Sequence, residues 1–119
     1  MKSKDKEISK KIIAYCKKVQ KFTRYVTFDD FMENDEKSLA VAMCIAQIAE
    51  LSKILSQGFK EVFHDFPWKE IIATRNVIVH KYGDLHWQTI WQVITEEIPI
   101  LIDGFENALI ELEKMEDVE

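Results

Sequence analysis

Apolar residues recur along the first part of the chain at helical spacing. From Ile8 they come in alternating steps of four and three residues, which places them on one stripe of a helix with lysines on the other face. The stripe consists of Ile8, Ile12, Tyr15, Val19 and Phe22. Residues 27–35 break this pattern, and an Asp or Asn among them is suited to cap the next helix.

The second predicted helix, over residues 36–57, is apolar on two sides. One side carries Val41, Ile45, Ile48, Leu51 and Leu55, and the other carries Ala42, Ala46 and Ala49. Such a helix is expected to lie between neighbouring helices, and alanines allow a close approach. Gly58 is its predicted C-terminal stop.

The second half of the chain predicts further helices. Residues 59–66 are expected to form a short helix or an aromatic-rich connection. Pro67 suits the first turn of a third helix that ends near His80, because its missing N–H is harmless there. A fourth helix is expected over residues 85–96, and a fifth from Pro99. Their inward residues are predicted to be Trp87, Ile90, Trp91, Ile94, Ile102, Phe105, Leu109 and Leu112.

The predicted fold class is therefore all-α, an up-and-down bundle of four main helices plus short helical pieces, in one domain over residues 1–119. Three Gly and two Pro leave few turn residues, which argues against an all-β fold. No stretch of about twenty apolar residues predicts a membrane span. The charged N-terminus lacks the apolar part of a signal peptide, so a cytoplasmic location is expected. Cys16 and Cys44 are expected to be reduced and packed as small hydrophobes.

Charge is unevenly distributed along the chain, whose net charge is -5. Residues 1–27 carry nine Lys/Arg against two Asp/Glu, a net charge of +7. Residues 28–119 carry seven against nineteen, a net charge of -12. The first segment is suited to attract a polyanion and the rest to repel one. The commoner alternative is that the lysines of residues 1–27 form a solvated helix face with no role in nucleic-acid binding.

The candidate chemistry lies between Arg75 and Tyr82. Arg75 and His80 are five residues apart, which is ~140° around a straight helix, so they do not share a face. Spacing alone favours an amphipathic helix whose Arg75 stem covers apolar surface and whose His80 closes the C-terminus. A functional site requires that the helix end at His80, or that a dimer gather these residues from two copies in one cleft.

The residues around this pair resemble a known family. Arg75 is followed by Asn76, a three-residue apolar spacer, His80, Lys81 and Tyr82, with Pro67-Trp68 upstream and Ile98-Pro99 downstream. Together they are similar to the HEPN superfamily, and most closely to its HepT-like branch. The stretch over residues 47–50 resembles the second-helix motif of that family, with alanine in place of its usual glycine. Residues 28–35 match its inter-helix connection, so the resemblance covers most of the chain.

The resemblance implies an HEPN-like fold and metal-independent RNA cleavage, without a cofactor, by the toxin of a type VII toxin–antitoxin pair. His80 titrates near neutrality and is expected to act as base or acid. Arg75 is expected to grip phosphate oxygens and stabilise the developing charge, and Asn76 to orient either group or the phosphate. One histidine cannot easily make both proton transfers, so a homodimer with two Arg-His sets in one cleft is expected.

Tyr82 is, by the same resemblance, the residue to which a minimal nucleotidyltransferase antitoxin adds AMP. Negative charge and bulk beside Arg75 and His80 would repel the RNA phosphate and block the cleft. The alternative to a modification site is that Tyr82 simply packs its ring beside the end of the helix. His64 and His86 lie outside any metal-ligand spacing, and packing or surface roles are expected for both.

A different class of function also fits. The chain is alternatively a non-catalytic helical dimer that serves as the binding subunit of a nucleotidyltransferase complex, and its net acidity suits this role more easily than an RNA enzyme. The joint presence of Arg75, Asn76 and His80 favours the ribonuclease, because a scaffold has no need of that set. A helical domain with no nucleic-acid role is the third interpretation.

Overall fold

A computed structural model describes residues 3–69, 71–72 and 87–118. These residues form α1 (Ser3–Thr23), α2 (Phe28–Glu33), α3 (Asp35–Ile54), α4 (Gln57–Val62), α5 (Trp87–Gln92), a π-helical segment (Val93–Glu97) and α6 (Ile98–Val118). Residues 68–69 and 71–72 are also helical, and no strand occurs within these described ranges. The all-α prediction is confirmed. None of the described helices is long and apolar enough to cross a membrane.

The long first helix, α1, packs against both α3 and α6. Its predicted stripe faces the core, with Ile8, Ile12 and Val19 buried and Tyr15 and Phe22 packed against them. Both predicted sides of α3 are buried as well, including Val41, Ala42, Ile45, Ala46, Ile48 and Ala49. Each fully buried aliphatic side chain contributes about 1.5–3 kcal/mol to folding, so this three-helix contact forms the main core of the described residues.

The break predicted over residues 27–35 contains a short helix, α2, that the apolar pattern does not reveal. Thr27 begins it with a capping box: the Thr27 hydroxyl accepts from the Asp30 N–H at 3.1 Å, and the Asp30 carboxylate accepts from the Thr27 N–H at 3.4 Å. Asn34 then caps α3, its side-chain oxygen accepting from the Lys37 N–H at 3.0 Å. The prediction that an Asp or Asn caps this helix is confirmed. α2 was not predicted, because its six residues are too few to show a helical repeat.

The predicted C-terminal stop of α3 is wrong. α3 ends at Ile54, and Gly58 lies inside α4. Ser56 begins α4, because its hydroxyl oxygen accepts from the Phe59 N–H at 3.1 Å. The same Ser56 donates its hydroxyl to Asp5 Oδ2 at 2.6 Å and its N–H to Asp5 Oδ1 at 2.9 Å. A carboxylate on α1, only 2% exposed, therefore fixes the start of α4 from 51 residues away.

The predicted fifth helix is confirmed as α6, which begins at Ile98, one residue before Pro99. The π-helical segment joins it to α5 in one continuous helical run. Gln92 and Ile98, on either side of the π-helical segment, both have right-handed helical dihedral angles. Proline inside an unbroken α-helix would clash with the carbonyl four residues earlier. The π turn directly before Pro99, in which the Ile98 N–H donates to the Val93 carbonyl, accommodates it.

The Asp5–Ser56 contact can be tested by mutation. Asp5→Ala is expected to lower the free energy of unfolding by about 2–3 kcal/mol, because it leaves two part-buried donors of Ser56 without their carboxyl acceptor. Urea unfolding of Asp5→Ala, Ser56→Ala and the double variant measures the coupling. We expect the two losses to be non-additive, and additivity within about 0.5 kcal/mol would contradict a direct interaction.

Candidate functional site

The residues predicted to carry chemistry, Arg75, Asn76, His80 and Tyr82, lie outside the described part of the chain, as does His86, for which packing is expected. The structure describes the chain on both sides of this segment. Aromatic side chains stand on either side, with Trp68 before it and Trp87 directly after it. These flanks fix the described positions nearest to the candidate segment on each side.

The upstream flank is held by an aromatic cluster around Trp68. Its ring centroid lies 5.2 Å from that of Phe66, 5.9 Å from that of Phe59 and 6.0 Å from that of Phe105. The indole N–H of Trp68 donates to the Phe63 carbonyl at 3.0 Å, so its polar atom is satisfied. The helical turn that leads into the candidate segment is thereby attached to α4 and α6.

Gly104, on α6, provides the space for this cluster. A Cβ atom at Gly104 would overlap the ring of Phe66. That ring stacks on Phe105 with a centroid distance of 4.9 Å and an interplanar angle of 21°. The close approach of residues 63–66 to α6 therefore requires glycine at this position.

The downstream flank is held by a second aromatic cluster, on α2. Phe31 is completely buried, and the edge of the Trp87 ring meets it at a centroid distance of 5.9 Å and 73°. Trp91, one turn later, lies 5.3 Å from Phe31 and 5.8 Å from Phe28. Tilted and edge-on aromatic pairs of this kind contribute roughly 0.5–1.5 kcal/mol each. The chain is thus fixed to the core again where it enters α5.

The basic face of α1 is exposed, as the sequence predicts. Three of its lysines meet carboxylates: Lys6 with Glu113 at 3.9 Å, Lys10 with Glu7 at 3.7 Å, and Lys17 with Glu106 at 3.4 Å. Such exposed ion pairs contribute only about 0–1 kcal/mol to stability. Stabilisation of the fold therefore does not account for the many lysines of α1. The remaining positive charge is concentrated toward the C-terminal end of α1.

The cysteines do not supply a nucleophile. Burial, and secondarily the neighbouring Cys44, raises the pKa of the Cys16 thiol to about 12. Burial also raises the pKa of Cys44, against a smaller lowering by Lys18. Because the thiolate is the reactive form, both groups are inert at neutral pH. The prediction of two buried, reduced cysteines is confirmed.

His64 is an exposed residue just beyond α4, in agreement with the surface role expected for it. Its Nδ1 lies 3.2 Å from the Glu61 carbonyl oxygen, and its Nε2 lies 3.4 Å from Asp65 Oδ1. Across residues 3–69, 71–72 and 87–118, no three His, Cys, Asp or Glu side chains are grouped so as to hold a metal ion.

The described residues are all-helical, and an aromatic cluster lies on each side of the candidate segment along the chain. The family model for "Ribonuclease HepT-like" matches residues 12–108. The chain therefore belongs to the HepT-like ribonuclease family, and the resemblance seen in the sequence is confirmed.

Relatives of the chain carry ribonuclease names. It is 29% identical over 107 residues to "Probable ribonuclease HepT" of Thermococcus cleftensis, covering 90% of this chain and 97% of that protein. It is 30% identical over 88 residues to a "Putative RNase" of Methanocaldococcus jannaschii, covering 74% and 81%. A "Putative RNase" of Caldanaerobacter subterraneus is 30% identical over 90 residues, covering 76% and 80%. No solved structure gives a significant match.

The aromatic cluster upstream of the candidate segment can be tested at Gly104. Gly104→Ala is expected to destabilise the protein by about 1–3 kcal/mol, because the added methyl group displaces Phe66. Gly58→Ala is the matched control, since its Cβ would meet only Ser56 Oγ, at 3.9 Å. Thermal and urea unfolding compare the two variants. Equal stability of both would contradict the proposed close contact.

Proposed function

We propose that the chain is a metal-independent endoribonuclease, the toxin of a type VII toxin–antitoxin pair, with Arg75, Asn76 and His80 as its catalytic residues. The observation that carries the proposal is the family match over residues 12–108, which includes all three. A cytoplasmic location, where RNA and an antitoxin are both present, is part of the proposal.

The proposed reaction uses the nucleophile that RNA itself carries. The ribose 2′-OH attacks the adjacent phosphorus, the bond to the 5′-oxygen breaks, and a 2′,3′-cyclic phosphate and a 5′-hydroxyl form. Neutral His80 removes the 2′-OH proton, and protonated His80 of the second copy in a homodimer gives a proton to the leaving oxygen. Arg75 stabilises the additional negative charge on the phosphorane, and Asn76 orients the phosphate.

Control by an antitoxin is the second part of the proposal. A minimal nucleotidyltransferase transfers AMP from ATP to the Tyr82 hydroxyl. The phenol oxygen loses its proton and bonds to the α-phosphorus, and pyrophosphate leaves. The new phosphodiester carries negative charge into the region of Arg75 and His80. RNA binding is then opposed by charge and by bulk. The position of Tyr82, two residues after His80, supports this form of control.

The alternative function is that of a non-catalytic dimer, the binding subunit of a nucleotidyltransferase complex. The net charge of -12 over residues 28–119 favours it, because an acidic surface repels RNA. Arrest of growth on expression separates the two functions. An active toxin arrests growth and its His80→Ala variant does not, whereas a binding subunit has no effect in either form.

His80 provides the direct test of the catalytic proposal. Purified protein is incubated with single-stranded RNA in a chelator, and the new ends are analysed. We expect cleavage to a 2′,3′-cyclic phosphate and a 5′-hydroxyl, and a loss of roughly 10²–10⁴-fold in rate for His80→Ala. His64→Ala, which removes an exposed histidine, is the control and should cleave normally. Undiminished cleavage by His80→Ala, or an absolute need for a divalent metal, would contradict the proposal.

Tyr82 provides the test of antitoxin control. The chain is co-expressed with the nucleotidyltransferase encoded beside it, and its intact mass is measured. We expect an increase by one or more adenylates that Tyr82→Phe does not show. Tyr25→Phe is the matched control, since Tyr25 is 97% exposed and should leave the labelling unchanged. Labelling that persists in Tyr82→Phe would locate the modification elsewhere.

A further inference from the structure

The C-terminal end of α1 borders two adjoining clefts. The first, of about 350 Å³, has Gln20, Thr23 and Arg24 on one side and Trp91, Ile94 and Thr95 on the other. The second, of about 500 Å³, is lined by Lys17, Gln20, Lys21 and Arg24. Because the clefts share Gln20 and Arg24, they form one strip along the end of the helix.

The strip is positively charged in an otherwise acidic protein. Lys17 and Lys21 lie four residues apart on one side of α1, and Arg24 directly follows the last residue of that helix. Lys17 meets Glu106 at 3.4 Å, while no carboxylate in the described ranges pairs with Lys21 or Arg24. None of the described residues that line the two clefts is acidic. The strip is therefore suited to hold an anion that the acidic surface of residues 28–119 repels.

Tyr25 is an independent sign that this end of α1 binds something. Its side chain is 97% exposed, and its φ of 61° lies in the left-handed region. The turn closes with a hydrogen bond from the Val26 N–H to the Thr23 carbonyl at 3.2 Å. Glycine is the residue that usually ends a helix in this conformation, because a side chain strains it. A solvated aromatic ring beside Arg24 at such a position gains nothing from packing and indicates a role in binding.

The strip also lies close to the proposed catalytic segment. Trp91 lines the first cleft, and Trp87, one turn earlier on α5, directly follows residue 86. One helical turn is about 5.4 Å along the axis. A ligand held in the strip therefore lies near Trp87, the first described residue after the candidate segment.

We propose that the strip formed by Lys17, Lys21, Arg24, Tyr25 and Trp91 binds single-stranded RNA and leads the substrate toward residues 75–82. The three cations contact phosphates, while the ring of Tyr25 and the exposed part of Trp91 stack on bases. Aromatic stacking requires unpaired bases, which favours a single strand over a duplex. This inference rests on the proposed function and adds the path of the substrate to it.

The cations are tested by the salt dependence of binding. A His80→Ala background keeps the RNA intact, and a fluorescently labelled single strand reports Kd by anisotropy over a range of salt concentrations. Lys21→Ala/Arg24→Ala is expected to reduce the slope of log K against log salt by about 1.4, since each phosphate contact on a single strand contributes about 0.7. Lys11→Ala/Lys18→Ala is the matched control, because it removes two charges that line a separate cleft.

The ring of Tyr25 is tested by a substitution that should weaken RNA binding without lowering stability. Tyr25→Gly is expected to raise or preserve the thermal midpoint, since glycine suits the left-handed position. It is expected to weaken RNA binding roughly 5- to 150-fold, the loss of one stacked base. Tyr25→Phe keeps the ring and should bind as tightly as the parent chain.

Outcomes against the inference are distinct from outcomes against the proposed function. Three results would contradict RNA binding by the strip. They are unchanged binding by Tyr25→Gly, equal effects of the two double variants, and no RNA binding at all. Cleavage by the wild-type chain with a KM that Lys21→Ala/Arg24→Ala does not alter would overturn it while leaving the ribonuclease intact. Binding in the strip without any cleavage would instead contradict the proposed function alone.

Discussion

The packing of α1 between α3 and α6 is the contact on which the rest of the described structure depends. Near its start, Asp5 holds Ser56 and so fixes the beginning of α4. α4 in turn carries Phe59 into the aromatic cluster around Trp68. At its other end, the same helix brings Arg24 alongside Trp91. One helix therefore determines both the upstream anchor of the candidate segment and the basic strip beside its downstream anchor.

Anchoring at both flanks matches what cleavage of RNA demands of its catalytic groups. General acid–base catalysis and charge stabilisation require side chains held in a fixed geometry by well-packed neighbours. Trp68 is fixed by ring contacts and by its indole hydrogen bond, and Trp87 is fixed against the buried Phe31. Gly104 makes the upstream packing possible by leaving space for a ring. These contacts support the ribonuclease proposal without themselves being part of the chemistry.

Local pattern predicted most of the fold, and distant contacts account for its errors. The stripes of α1 and α3 follow from helical periodicity alone, whereas the end of α3 depends on Asp5, which no local pattern connects to Ser56. Pro99 correctly marks the start of α6, whereas the π turn that joins α5 to α6 is a feature of backbone geometry that the apolar pattern does not show. The candidate catalytic residues came from a motif and its flanks. The strip could not be predicted, since the left-handed Tyr25 and the clefts exist only in three dimensions.

The central claim is that one RNA strand contacts both the catalytic segment and the end of α1. Ultraviolet crosslinking of the inactive His80→Ala chain to single-stranded RNA, followed by mass spectrometry of the crosslinked peptides, tests it most directly. We expect crosslinks in residues 75–82 and at Tyr25, with those at Tyr25 reduced in the Lys21→Ala/Arg24→Ala background. Crosslinks confined to α3, or to the side of α1 that carries Lys11 and Lys18, would contradict it.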